Sequence, residues 1–271
     1  MKRRAKPATA EAVHANAGVQ HWYRGQLERI VDAAHVELVR LLQDAFATTP
    51  PADIGFAVDA PKDRIGAIES ALKKWGAKWA KRFDRMSLDL STRFAARNFA
   101  ATEHSMAAAF KRAGFTVEFK PTRASAQAYR AVAAENVGLI KSIPQQYLTD
   151  VQAQVWQSVK AGADMSTLAE NLRESYGVAT RRAALIARDQ NNKAKAVIED
   201  VRRQQLGIQE AFWQHSHAGK VPRPTHVKMN GKRYEIGKGM YDPHEKKYVW
   251  PGQLVNCRCT SRPIIPGYVA S

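Results

Sequence analysis

The two cysteines of this 271-residue chain stand one residue apart, in "NCRCTSRP" at residues 256–263. In an extended segment Cys257 and Cys259 share a face, with Cα atoms roughly 6.6 Å apart at about 3.3 Å per residue. That separation is at the outer edge of disulfide geometry, so a soft divalent metal suits the pair better than a bridge. Zinc takes four ligands, and histidine is the usual complement to thiolate. His215, His217, His226 and His244 crowd into the same region, and His215 and His217 share a face if "FWQHSH" is extended. The expectation is a zinc site from Cys257, Cys259, His226 and either His217 or His215. The competing reading is a pair of buried, reduced thiols beside surface histidines.

Two catalytic readings draw on the same residues. In a His/Asn-type endonuclease a histidine acts as general base and a metal takes the scissile phosphate. Asn256 and the histidines are present, but the acidic ligands for that metal do not stand out beyond Asp242, Glu235 and Glu245. Cys257 as a nucleophile with His226 as its base would need an oxyanion site and an orienting group, and the sequence shows neither. No strand–GxxxxGK[ST]–helix context provides a phosphate-binding loop. The expectation is a protein that is not an enzyme.

Charge points to a partner. Lys and Arg number 42 against 25 Asp and Glu, a net +17. Such an excess costs self-repulsion, which an anionic neighbour offsets, and nucleic acid is the commonest such neighbour. The helix expected after Thr180 carries Arg181, Arg182, Lys193, Lys195, Arg202 and Arg203, either a face that tracks double-stranded DNA without sequence preference or an ordinary solvated one. Trp75, Trp79 and Phe83 step by four between Lys73, Lys74, Lys78, Lys81 and Arg82. Bases could stack there, but a core stripe with a basic flank is the commoner meaning of that spacing.

The elements that must position these residues are mostly helical. Leu27, Ile30, Val31, Leu38 and Leu42 recur at helical steps. "TTPPADIG" interrupts the pattern, and a second long helix runs from about residue 62 to 112. "FTVEFK" reads as a strand or an extended linker. Helix resumes after Pro121 and breaks at Pro144. A short helix stops at Gly177, and the next opens at Thr180 and caps at Gly207. After Gly207 the chain changes character: "IQEAFWQHS" is a strand, "MNGKRY" signals an Asn-Gly hairpin turn, and "LVNCRCTSRPII" is extended. The fold class is therefore α+β, with a helical region over 1–143 and a small C-terminal α+β module over 144–271, stapled by zinc. The basic N-terminus lacks the apolar stretch of a signal peptide. No apolar run reaches the roughly 20 residues that cross a bilayer, so no membrane partner is expected, and a reducing cytoplasm is.

The ordered set Ala187-Arg188, Gly207, Trp213, Arg223 with His226, Asn230-Gly231, Pro251-Gly252 and Asn256-Cys257-Arg258-Cys259 resembles the phage head-morphogenesis family, the Mu F-like minor head proteins. The resemblance covers about the last hundred residues. Many members carry an acidic residue shortly after the tryptophan, where this chain has "HSHAGK", which makes His217 a substitute ligand. The resemblance implies a minor head (minor capsid) protein of a phage or prophage. It would be assembled into the virion in the host bacterial cytoplasm, with portal and major capsid or scaffold proteins as partners. It would handle DNA at packaging or delivery, with the helical 1–143 region facing the protein partners.

Overall fold

The computed structural model describes residues 6–47, 62–160, 165–217 and 221–269. Its element order is β1 (Pro7–Thr9), α1 (Ala17–Ala47), α2 (Lys62–Arg112), α3 (Arg123–Lys160), α4 (Met165–Gln205), β2 (Glu210–Gln214), α5 (Pro224–Met229), β3 (Arg233–Glu235), β4 (Met240–Asp242), β5 (Lys247–Val249) and β6 (Thr260–Val269). A mainly helical first part and a small C-terminal antiparallel region bear out the α+β reading. The break expected at "TTPPADIG" lies outside the described residues.

Local chemistry sets the helix ends. Asn16 accepts the Val19 N–H at 3.0 Å and caps α1. Thr122 and Ser125 exchange side-chain-to-backbone hydrogen bonds of 2.9 and 3.0 Å, a reciprocal capping pair that opens α3. At the end of α4 the Ile208 N–H donates to Arg203 O at 2.9 Å and the Gly207 N–H to Gln204 O at 3.0 Å, closing a Schellman motif on Gly207.

Two expected breaks are absent. Pro144 lies inside α3, and α4 runs unbroken through Gly177 and Thr180. A proline removes one helical donor and a mid-helix glycine costs about 1 kcal/mol. Ile140, Ile143, Tyr147, Val151 and Val155, all buried at three- and four-residue steps, carry the helix past Pro144. The chain divides into two compact units, with α2, α3 and α4 each shared between them. One comprises Met1–Tyr23, Ser91–Ala134 and Ala187–Ser271; the other comprises Arg24–Leu90 and Glu135–Ile186.

In the second unit Trp75, Trp79 and Phe83 are buried while Lys73, Lys74, Lys78, Lys81 and Arg82 are exposed, so the aromatic stripe is core. Trp75 meets Tyr147 edge-on at 6.3 Å, and Tyr147 bonds His35 Nδ1 at 2.6 Å. The Tyr176 hydroxyl donates to Asp32 at 2.6 Å.

The first unit holds the sheets. A four-stranded antiparallel sheet has the order β1-β6-β2-β3, and β4 and β5 form a separate pair. The N-terminal strand β1, which periodicity does not reveal in three residues, pairs with the last strand through a register shift. "FTVEFK" makes no strand, but Phe115, Val117 and Phe119 pack against the core formed by Phe110, Ile208, Trp213, Tyr234 and Ile265. The Asn-Gly hairpin expected in "MNGKRY" is instead the exit from α5. The Lys232 N–H donates to Met229 O at 3.0 Å, with Asn230 at φ −53, ψ 130 and Gly231 at φ 74. This is a type II turn, whose third position needs positive φ.

The stretch of α4 in this unit is enclosed on nearly every side, and that overturns part of the DNA-face expectation. Lys195, Arg202 and Arg203 are 2%, 4% and 4% exposed. Lys195 Nζ lies 3.0 Å from Glu199 Oε2, and Arg203 NH2 lies 3.0 Å from Glu199 Oε1. Arg203 also donates to Ser261 Oγ at 2.7 Å and to Ser261 O at 3.0 Å. Arg202 pairs with Glu103 and donates to Lys120 O at 2.8 Å. Cations held in this way present nothing to a phosphate backbone. Lys193 is half-buried and paired with Asp189 at 3.0 Å, whereas Arg181 and Arg182 are exposed. Removing one partner of a buried ion set leaves uncompensated charge. Glu199→Ala is therefore expected to cost about 3–5 kcal/mol, measured as a fall in the urea unfolding midpoint.

Candidate metal centre

Three side chains from separate elements converge. Arg223 is extended, as the residue before a proline must be, and Pro224 occupies the first turn of α5, where a missing donor costs nothing. This brings His226 inward, 2% exposed, with Trp213 of β2 edge-on to its ring at 5.1 Å. Cys257 and Cys259, each 4% exposed, lie on the approach to β6. His226 Nδ1 is 3.5 Å from Cys257 Sγ and 3.7 Å from Cys259 Sγ. The three ligand atoms all lie within 4.8 Å of one another.

The other side of the imidazole faces a carboxylate. His226 Nε2 lies 3.4 Å from Asp242 Oδ2, close but not aligned as a hydrogen bond. Asp242 is fully buried. It accepts the Thr225 hydroxyl at 2.9 Å and the His244 and Glu245 N–H groups at 2.9 and 3.4 Å. Burial works against its charge, but these donors and His226 outweigh it and hold the carboxyl below its ordinary range. Residue spacing alone gave Asp242 no such role. The available signal is "YDPHE", in which an aspartate bonds the backbone two and three residues on.

The two sulfurs act as a pair. The hydrogen bond from Cys259 draws the Cys257 thiol down to about 4, with burial opposing and His226 assisting. The same bond, with burial, pushes the Cys259 thiol well above its ordinary value. A thiolate is the form that ligates metal. The Gly252 N–H also points at Cys257 Sγ, 3.4 Å away. Gly252 has φ 85, and a Cβ there would lie 3.4 Å from Asn192 O, so this turn accepts only glycine without strain.

His217, expected as the fourth ligand, is exposed and outside this group. Its N–H donates to His215 Nδ1 at 3.2 Å. His215 is buried at the end of β2 and also stands outside the 4.8 Å group. Burial, then the neighbouring His217 and His226, lower its pKa. Among the described residues no fourth His, Cys, Asp or Glu joins the three.

The remaining motif residues brace the cluster. Arg188 donates to Asn256 Oδ1 at 2.6 Å, and the Asn256 N–H donates to Asp189 Oδ1 at 2.9 Å. Consecutive residues of α4 thereby fix the residue before Cys257. Asn256 has φ 61, a conformation that asparagine tolerates better than most residues. Arg223 donates to Val255 O at 3.1 Å. The Asn230 side chain accepts the His215 N–H at 2.9 Å, and the Gly231 N–H donates to Trp213 O at 2.8 Å. Pro251 is buried and Arg258 half-buried beside the sulfurs. Asn256→Ala removes the Arg188 contact and leaves a Cβ residue at positive φ. The expected loss is about 1–3 kcal/mol, measured by urea denaturation.

Residues 149–262 match the model of a family described as Phage Mu protein F like protein. The match spans every residue of the ordered motif from Arg188 to Cys259, so the resemblance read from those residues is borne out there. An uncharacterized protein of Haemophilus influenzae is 26% identical over 268 residues, covering 97% of this chain and 57% of the relative. The chain thus spans less than two thirds of that relative's length. No solved structure matches it.

Proposed function

We infer that this protein is a structural component of a phage-type head, working in head assembly near the portal and contacting packaged DNA without sequence preference. The observation that carries this reading is the family match over residues 149–262, whose motif residues are bonded to their own chain. Arg188 holds Asn256, Arg223 holds Val255 O, and Trp213 is core against His226. Residues committed to bracing loops suit an architectural part.

The endonuclease alternative meets an obstacle in His226. Its Nδ1 faces both sulfurs and its Nε2 faces Asp242, so neither nitrogen is turned toward a water or a phosphate. A general base must come within hydrogen-bond reach of the proton it takes. Asn256, the other half of that pair, is held by α4.

DNA contact would come from the net +17 acting through exposed cations. Arg181 and Arg182 on α4 and Lys73, Lys74, Lys78, Lys81 and Arg82 on α2 are exposed, Lys78 in a pair with Glu37. No helix among the described residues is long and apolar enough to cross a membrane.

Mass spectrometry of proheads and mature particles tests the head assignment. The protein is expected in both and should co-purify with portal; absence from particles together with indifference to portal overturns it. Duplex DNA binding should weaken steeply with salt and ignore sequence. Arg181→Ala with Arg182→Ala should reduce the slope of log K against log salt by up to about 2. Intact plasmid across added divalent metals is the expected nuclease result.

A further inference from the structure

We propose that His226, Cys257 and Cys259 form a zinc site, that buried Asp242 orients the histidine, and that His215 completes the shell by a side-chain rotation. Ligand spacing is the first ground. A tetrahedral ion with bonds of about 2.3 Å to sulfur and 2.0–2.1 Å to nitrogen sets those ligands about 3.5–3.6 Å apart. The Nδ1–sulfur distances are 3.5 and 3.7 Å. The histidine nitrogen therefore already stands from both sulfurs at the separation the ion requires, and the two sulfurs lie within 4.8 Å of each other.

The second ground is the far side of the imidazole. Metal-bound histidines commonly turn their other ring nitrogen to a carboxylate, which fixes the tautomer and raises ligand basicity. Asp242 sits there, 3.4 Å from Nε2, and is itself held by Thr225 and two backbone donors. A proton on Nε2 leaves the Nδ1 lone pair facing the sulfurs. Thiolate, neutral imidazole and an outer carboxylate form a donor set suited to zinc over calcium or magnesium, which prefer oxygen.

The third ground is the fourth position. His215 is buried at the end of β2, two residues past Trp213, whose ring meets that of His226 edge-on. Its Nδ1 accepts the His217 N–H, so Nε2 is the nitrogen that would turn toward the ion. The ion would then tie the end of β2, α5 and the approach to β6, with β4 behind it through Asp242.

The site stands apart from the head assignment, since metal content is independent of where the protein works. The test uses the full chain purified under reducing conditions. Elemental analysis should give one zinc per chain, and cobalt(II) replacing zinc should give sulfur-to-cobalt absorption in the near ultraviolet. Cys257→Ser with Cys259→Ser should retain less than a tenth of the metal. Asp242→Asn should weaken zinc binding about 10–100-fold, and His215→Ala should weaken it while sulfur bands persist. Wild-type protein with under half an equivalent of zinc and no sulfur–cobalt bands overturns the site. Unchanged affinity in Asp242→Asn or His215→Ala overturns the role given to that residue. The cobalt spectrum of the wild-type chain decides the core claim even if a variant fails to fold.

Discussion

Glu199 stands between Lys195 and Arg203 in a stretch of α4 that solvent hardly reaches, with both cations 3.0 Å from its carboxylate. Taken from water, each of these charges is costly, and mutual pairing is what makes the arrangement tolerable. Arg203 passes that constraint outward by gripping Ser261 through its hydroxyl and carbonyl. Ser261 faces Trp213 in the β2–β6 register, so the position of the last strand against the second is fixed from the helix. Seven residues N-terminal to Asp189, Arg182 already belongs to the other compact unit. The buried polar stretch is thus confined to the part of α4 that carries the sheet.

The cysteine segment lies between two such attachments. Asn256 on one side is held by Arg188 and Asp189; Ser261 on the other is held by Arg203. All three anchors project from α4, so the approach of Cys257 and Cys259 to His226 is determined by a rigid helix and not by the loop's own preferences. This explains why motif residues scattered over some seventy positions behave as one object. Arg188, Asn256 and Gly252 shape the sulfur side, while Arg223, Asn230 and Gly231 shape the histidine side and its strand. Of these, Gly252 alone bonds a donor directly, through its N–H to Cys257 Sγ; the others hold the segments that carry the donors.

Part of this arrangement was legible in the residues. Adjacent same-face sulfurs with a nearby histidine pointed to the Cys257–Cys259–His226 cluster. Helical spacing identified Trp75, Trp79 and Phe83 as core, and Gly207 marked the end of α4. The basic residues of α4 were not legible, because composition records a charge and not its partner. Lys195, Arg202 and Arg203 look like a solvated face until Glu199 and Glu103 are seen opposite them. Pro144 and Gly177 read as breaks because local propensity carries nothing of the tertiary packing that overrides it. Asp242 lies sixteen residues from His226 and became a neighbour only through the turn that sets β4 beside α5.

The C-terminal strands show why the cluster sits where it does. β3, β4 and β5 have three residues each, too few for ladder hydrogen bonds to hold them against fraying. Each is tied by something besides its ladder: Tyr234 of β3 packs edge-on against Trp213 at 6.0 Å, Asp242 ends β4 inside the core beside His226, and Val249 of β5 is fully buried in the core. A buried imidazole flanked by a carboxylate on one side and two sulfurs on the other connects the segments least able to persist alone. Its worth to the fold comes from that connectivity, because His226, Asp242, Cys257 and Cys259 are all withdrawn from water and their neighbours come from separate segments. A module built in this way keeps its shape through contacts among short pieces and depends on α4 to hold those pieces in register.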